Sequence, residues 1–569
     1  MKYLVLAYGL ICILTQNVIS QDFTLLNIDP PKPQVQVADS NKLQKPADAI
    51  TMALQDIQTL SEFDRPFIRY IWIQEPDMQK IAAVSFTLNT TISRTSLIVN
   101  PDILFGGHLL RFDFRKYVIN DGDLNKVMKA YEGMGKDPYF HLTESSYIVP
   151  NSAKRLGTLQ GDPTGSIRFT HNNKNFFLDR QKLFILQPDN SWLPTDVQEF
   201  RSDVSAYGAH VGLEQSTLLL GLVNNTSVVT RYDYFISKAL TTLDGGLYYK
   251  LSGIEANPVG KTAQEALLES LGSSEARVEA LNAGQRVALF KSRVTGRPRR
   301  LDLFQGEGVA VSNGTGLISI TYDGKEGDVK AIQDPIRNLL EFEDSARELI
   351  AEKSNGLHIF ALFNSKGELQ NQAPDNIVKD HAIPPPHTAR LQSAISCIRC
   401  HGPLEGWQPF DNEVQIMLSG LFDIYDDAGS NSNVPSTLSK LASLYSGDLT
   451  KVLRRGRDDY TEASLRATYG NFNITQISEI ISNIYADYNY VEVDATTALR
   501  ELGYKIDPEE SQKYFTELIV PRHIYANGVI PEDPIIAALK TGLKVNRFQW
   551  ELVYADAAIR SMNIEEVKK

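Results

Sequence analysis

Apolar positions along this chain change period several times, and each change marks a structural element. Ile50, Leu54 and Ile57 recur at helical spacing and predict a helix beginning near 48. A second helix is predicted over 78–93. The stretch 109–115 alternates instead, with Leu110, Phe112 and Phe114 on one side, and predicts a half-buried strand. Helical spacing returns from Leu124 to Tyr131. Between about 150 and 380, short apolar runs such as 287–290 and 317–322 are punctuated by glycine-containing turns, which is the pattern of a β-meander. Leu357 to Phe363 is apolar on nearly both faces and predicts a central strand, with Asn364-Ser365-Lys366-Gly367 as a turn into its partner. Pro384, Pro385 and Pro386 then end the strand-rich pattern. A helix is predicted after Thr388, where Leu391, Ala394, Ile395 and Ile398 share a face. Another starts near 412 with Val414, Met417, Leu418, Leu421 and Phe422 on one face. Further helices fit 435–445, 448–457, 475–488, 494–502, 533–541 and 547–563, with Asp494 as N-cap and Gly503 at C′ of the fourth.

The fold class this predicts is α+β, a mixed N-terminal region followed by an all-helical module with a helical extension. The boundaries are 46–380 for the mixed region, divisible near 150, then 381–505 for the helical module and 506–569 for the extension. Residues 21–45, with Asp29-Pro30-Pro31-Lys32-Pro33, read as an extended linker. Residues 1–20 read as a signal peptide. Lys2 is followed by an apolar run over 3–14, and Val18-Ile19-Ser20 precede Gln21 as a cleavage site. The expected location is therefore the periplasm, the cell surface or the medium. No later apolar stretch approaches spanning length, so no transmembrane segment is expected after cleavage.

Charge narrows the function classes. A net charge of −12 over 569 residues argues against nucleic acid, which needs a basic face. One basic cluster, Arg286, Lys291, Arg293, Arg297, Arg299 and Arg300, reads first as solvated loop ends. Its sharper reading is a docking face for an acidic partner or a contact to cofactor carboxylates. No P-loop, dinucleotide fingerprint, H-E-x-x-H or nucleophile triad is present.

The chemistry is concentrated in Cys397-Ile398-Arg399-Cys400-His401. C-x-x-C-H is the attachment signature of haem c. Two thiols three positions apart reach the two vinyl groups on one porphyrin edge, and the adjacent imidazole supplies the fifth iron ligand. The chain has three cysteines, and the other, Cys12, falls in the predicted signal peptide. A zinc site is the competing reading, but zinc takes about four ligands and no second Cys pair or H-x3-5-H exists. A thioredoxin-like pair would need a βαβ setting that this region lacks. Export agrees independently with haem c, which is attached outside the cytoplasm.

The sixth iron ligand separates the functions. With both axial positions filled, such a haem carries electrons; with one open it binds small molecules for catalysis or sensing. After His401 the methionines are Met417 and Met562. Met417 lies sixteen positions on, on an apolar helix face where a core role competes. His387 is the alternative ligand, followed by His381, while His523 is distant and His358 reads as a buried strand histidine. Electron transfer with a redox partner protein leads, because no distal acid–base pair is visible near the motif. The alternatives are a haem oxidoreductase or gas sensor with an open sixth site, and a binding or scaffold protein with an accessory haem. The length of chain preceding the motif, far more than a carrier needs, gives weight to the haem enzyme.

Several stretches resemble one family. Residues 354–380 and 394–402, with Leu109-Leu110-Arg111-Phe112-Asp113-Phe114-Arg115-Lys116-Tyr117, Tyr445-Ser446-Gly447 and 494–503, are similar to large secreted proteins of planctomycete-type bacteria with a single C-x-x-C-H. These are described as cytochrome c domain proteins, and the likeness spans roughly 65–505. It implies haem and iron at Cys397, Cys400 and His401, and it implies no substrate. His358 departs from that pattern, in which glutamine is common at this place.

Overall fold

A computed structural model describes residues 43–44, 46–134, 139, 167–171, 174–179, 182–186, 192–194, 229–243, 245–273, 284–289, 299–305, 316–324, 343–374, 379, 383, 385, 387–403, 448–519, 533–554 and 557. Helix α1 (Pro46–Gln58) leads into strand β1 (Ile68–Trp72), helix α2 (Met78–Thr91) and strands β2 (Asp102–Leu104) and β3 (Leu109–Asp113). Helix α3 (Asp121–Glu132) follows. The strands β4 (Ile167–His171), β5 (Lys174–Asp179), β6 (Lys182–Leu186) and β7 (Trp192–Pro194) form an antiparallel sheet of their own. Strand β8 (Val229–Arg231) joins the first sheet in the order β2-β3-β1-β8, parallel to β1. Helices α4 (Tyr232–Ala239), α5 (Tyr248–Ser252) and α6 (Ala263–Ser270) come next. Each is short, and Thr262 and Glu265 form a reciprocal capping box that starts α6.

The meander expected from the glycine turns is present. Strands β9 (Gly284–Leu289), β10 (Arg299–Gln305), β11 (Leu317–Gly324), β12 (Asp344–Glu352), β13 (His358–Asn364) and β14 (Leu369–Gln370) pair with their chain neighbours in antiparallel order. β11 is buried at all positions and β13 at all but its last, and helix α2 packs on β13. The tight turn at Asn364–Gly367 is closed by Gly367 N–H on Asn364 O at 3.0 Å, and Gly367 holds φ +74°, where glycine has no Cβ penalty.

Past residue 381 the described elements are helices: α7 (Ile395–His401), α8 (Asp448–Ala467), α9 (Ile474–Asn489), α10 (Ala495–Glu501), α11 (Pro508–Leu518) and α12 (Pro534–Lys540), with 547–554 also helical. The chain is thus α+β. Asn473 and Gln476 form a reciprocal capping box that starts α9. Asp494 caps α10 by accepting from Thr497 N–H, and Gly503 follows at φ +90°. Helix α9 packs on α2, α4, α7 and α8, and residues on both sides of 381 share one hydrophobic core. Among the described residues no helix is long and apolar enough to cross a membrane.

Helix α2 shows how the core tolerates polar side chains. Ser85, Thr87, Asn89 and Thr91 are fully buried, yet each bonds a nearby acceptor, such as Asn89 Nδ2 to Val99 O at 2.8 Å. Its C-terminal carbonyls, which have no helical partner, accept from Lys353 Nζ at 2.9 Å (Asn89) and 2.8 Å (Thr90). The meander is thereby tied to the first sheet's helix.

Four local features differ from the expectations. The strand at 109–115 ends at Asp113, whose carboxylate accepts from Arg115 N–H and starts a single helical turn over Phe114–Tyr117. The helix after Thr388 begins only at Ile395. Ala373 N–H binds Leu391 O at 2.8 Å, and Ala394 sits at φ +65°, which no helix continues through. Helix α8 runs ten residues past its expected end, since no glycine or proline interrupts 458–467. Helix α11 was missed, although Asp507-Pro508-Glu509-Glu510 carries both an N-cap and proline at N1.

Candidate functional site

The motif helix α7 is locked at both ends. Before it, Gln392 is buried and its Oε1 accepts from Thr241 Oγ1, while its Nε2 donates to Tyr485 OH at 3.0 Å. Ile395 N–H donates to Leu240 O at 3.0 Å, so α4's end holds the first turn. Ala394 in the left-handed region is backbone strain immediately before the motif, tolerated because these bonds fix the chain around it. After the helix, Gly402 lies directly on α9: a Cβ there would come within 2.2 Å of Ser478 Cβ. Only glycine permits that approach.

Cys397, Cys400 and His401 stand at i, i+3 and i+4 and share one side of α7. Both cysteines are thiols, not bridged to each other. Cys397 is 2% exposed, whereas Cys400 and His401 are half-buried. Facing them is a residue that sequence reasoning missed, Glu348 on β12. Its Oε1 accepts from Cys397 Sγ at 3.5 Å and lies 3.9 Å from His401 Nε2. Nothing in the local sequence pointed to Glu348, because it reaches the motif across 49 positions of chain through the sheet's pairing. Burial, then the Glu348 carboxylate, push the Cys397 thiol well above its ordinary range.

His358 is wholly buried on β13, as expected, with its ring stacked on Tyr460 at 3.6 Å and 11°. Burial, then the neighbouring His401, push its imidazole well below the usual range, so it stays neutral. His387 is exposed, with its ring 4.7 Å from Tyr490. Met417, Met562, His381 and His523 lie outside the described residues, as do Lys291, Arg293 and Arg297 of the basic cluster. Of that cluster, Arg299 is buried against Asp323 at 2.7 Å and Arg300 lies over the Tyr322 ring at 4.0 Å. These two cations are taken up inside the sheet rather than presented to solvent.

The donor set fits haem c: two unbridged thiols at the required spacing and an imidazole one residue on. The neighbouring cavity, which Glu348, Leu362 and Leu391 help line, has about 50 Å³, room for a few waters rather than a macrocycle. At this flank Cys400 and His401 are half-buried, while Cys397 is buried in the core. Among the described residues no cluster of three metal-ligating side chains exists, so a zinc centre gains no further ligands there.

The two thiols should differ in reactivity in the haem-free protein. Alkylation at neutral pH is expected to label Cys400 first and Cys397 about tenfold more slowly or worse, because Cys397 is buried and held protonated. Peptide mass spectrometry over a time course checks this; equal rates would show that Cys397 is not held as described.

No family model, curated protein or solved structure matches this chain.

Proposed function

We propose that this is an exported monohaem c-type cytochrome that transfers electrons to or from a redox partner protein. The observation that supports the reading is the shared face of α7, where unbridged Cys397 and Cys400 flank His401 at thioether spacing. When bound, the haem supplies a one-electron ferric–ferrous couple. Cys397 and Cys400 would hold its edge covalently, and His401 would hold the iron. Ser478 against Gly402 and the Gln392–Tyr485 bond hold α7, and with it the three side chains that would hold the haem, in one position. Ile395 and Ile398, both fully buried, exclude water from the inner side of the helix. The helical segment 381–505 would form the haem-bearing part, sharing its core with the mixed region before it.

The test is purification of the full chain from a host that matures c-type cytochromes. Haem should survive acid–acetone extraction and denaturing electrophoresis. Two unmodified thiols by mass spectrometry would refute haem attachment. Rapid CO binding to a five-coordinate ferrous protein would instead favour a haem oxidoreductase or gas sensor.

A further inference from the structure

Between β14 and α7 the chain leaves the sheet and returns to it. Two described legs of this excursion are Ala373–Pro374 and His387–Leu391, and Ala373, Pro374 and Leu391 lie over the β12–β13 face. Both legs are pinned at their roots. Thr242 Oγ1 donates to Asn371 O, and the buried Gln392 is bonded to Thr241 and Tyr485. Past the roots the hold is slight. The legs join each other through Ala373 N–H on Leu391 O at 2.8 Å, and Lys379 bridges to Arg390. They meet the sheet through Ala373 and Leu391 on Ala346 and Leu362, a four-residue cluster separate from the continuous core. Ile383 is buried as well, and the exposed His387 rests its ring 4.7 Å from Tyr490. Beneath the legs lies the cavity of about 50 Å³, so the packing under them is incomplete.

We propose that the two legs lift together off β12 and β13 as a flap hinged at Asn371 and Gln392, opening the cavity to solvent while the rest of the fold stays closed. Small satellite clusters open at lower free energy than the core beside them, because they bury fewer apolar contacts. A flap turns about residues held at its roots, which the bonds to Asn371 and Gln392 supply. Glu348 lines the cavity on one side and accepts from Cys397 Sγ at 3.5 Å on the other, so the cavity ends one side chain short of the thiol. Elsewhere Cys397 is packed into the continuous core, on a helix held by Leu240 and Ser478. Lifting the legs leaves Glu348 free to turn aside and lets a small solute reach the thiol. In the folded chain, reactions at Cys397 pass through this opening. Cys400 is half-buried and does not depend on it. The inference goes beyond the haem reading and holds for the haem-free chain.

The experiment follows alkylation of Cys397 by iodoacetamide in the haem-free full chain, read by peptide mass spectrometry with Cys400 as the internal reference. In urea well below the unfolding midpoint, the Cys397 rate should stay within about twofold of its value in buffer, because a lifting flap exposes little surface. A rate that climbs from the first addition of urea, with the slope of global unfolding, overturns the proposal. Leu391→Ala removes the flap's main apolar contact and should speed Cys397 by about tenfold or more, leaving Cys400 unchanged. Ile320→Val, in the continuous core on β11, is the control: it lowers global stability and should leave both rates unchanged. A Cys397 rate that Leu391→Ala leaves unchanged, or that Ile320→Val raises as much, overturns the flap as the route. Should Leu391→Ala fail to fold, the wild-type urea series decides by itself.

Discussion

Cys397→Ala with Cys400→Ala is expected to yield a folded chain that retains no haem after acid–acetone extraction. The loss should be complete, because no other cysteine remains in the described chain to form a thioether. Folding should survive. Cys397 behaves in the core as a small apolar side chain, and its replacement by alanine removes one atom at a cost of about 1 kcal/mol. Each single variant should keep haem through one bond, and so retain some stain on a denaturing gel. His401→Ala separates attachment from ligation: both thioethers should form, but the iron spectrum should lose its histidine signature. Circular dichroism alongside haem staining checks the set. Haem retained by the double variant would place the cofactor elsewhere in the chain.

Glu501→Ala is expected to destabilise the protein by about 3–5 kcal/mol, the usual result of leaving buried charges uncompensated. Glu501 ends α10, and its carboxylate meets Arg547 at 2.5 Å, Trp550 Nε1 at 2.6 Å and Arg231 at 3.6 Å. Arg231 is itself buried, its guanidinium stacked 3.5 Å over the Tyr139 ring and paired with Asp233. These contacts join β8 and α10 to the helical residues 547–554. Removing the carboxylate takes from Arg547 its carboxylate partner and leaves Arg231 with Asp233 alone, whereas Glu501→Gln keeps a bond to Trp550 and should cost less. Burial is the largest influence on the carboxyl and would raise its pKa, but Arg231 and Arg547 outweigh it and hold it below its ordinary value. A carboxyl depressed on folding contributes stability that is present above its unfolded pKa, near 4.3, and is lost as pH falls through the folded value. Urea titrations at pH 7 and below pH 4 check both parts. Glu501→Gln should flatten the acid limb; an unchanged limb would mean that another carboxylate governs acid unfolding.

The same cluster shows why tertiary facts were hard to read from the chain. Arg231, Glu501 and Arg547 are ordinary surface residues by type, and only the packing of β8 against α10 and 547–554 makes them one network. The described core is continuous across the triple proline for a related reason. A proline run signals a break in local periodicity, but Ile395 and Ile398 still needed burial and found it against elements from the first half of the chain.

Local rules were legible wherever the signal was short in range. Helices α2, α9 and α10, the Asn364–Gly367 turn, the meander order and the burial of β13 all follow from spacing, caps and glycine, which act over a few residues. The C-x-x-C-H spacing belongs to the same class, since three side chains at i, i+3 and i+4 share a helix side whatever surrounds them. The start of α7 did not, because Ala394 takes a conformation imposed by the tertiary bonds around it, Ile395 N–H to Leu240 O and the Gln372–Gln392 bridge. Glu348 is the sharpest case. Alternation along β12 tells which face it lies on, but its meeting with His401 depends on the register of β12 and on where α7 is laid across the sheet. Periodicity is a property of neighbours in the chain; the convergence of a strand carboxylate with a helix imidazole is a property of the packed core, and only folding decides it.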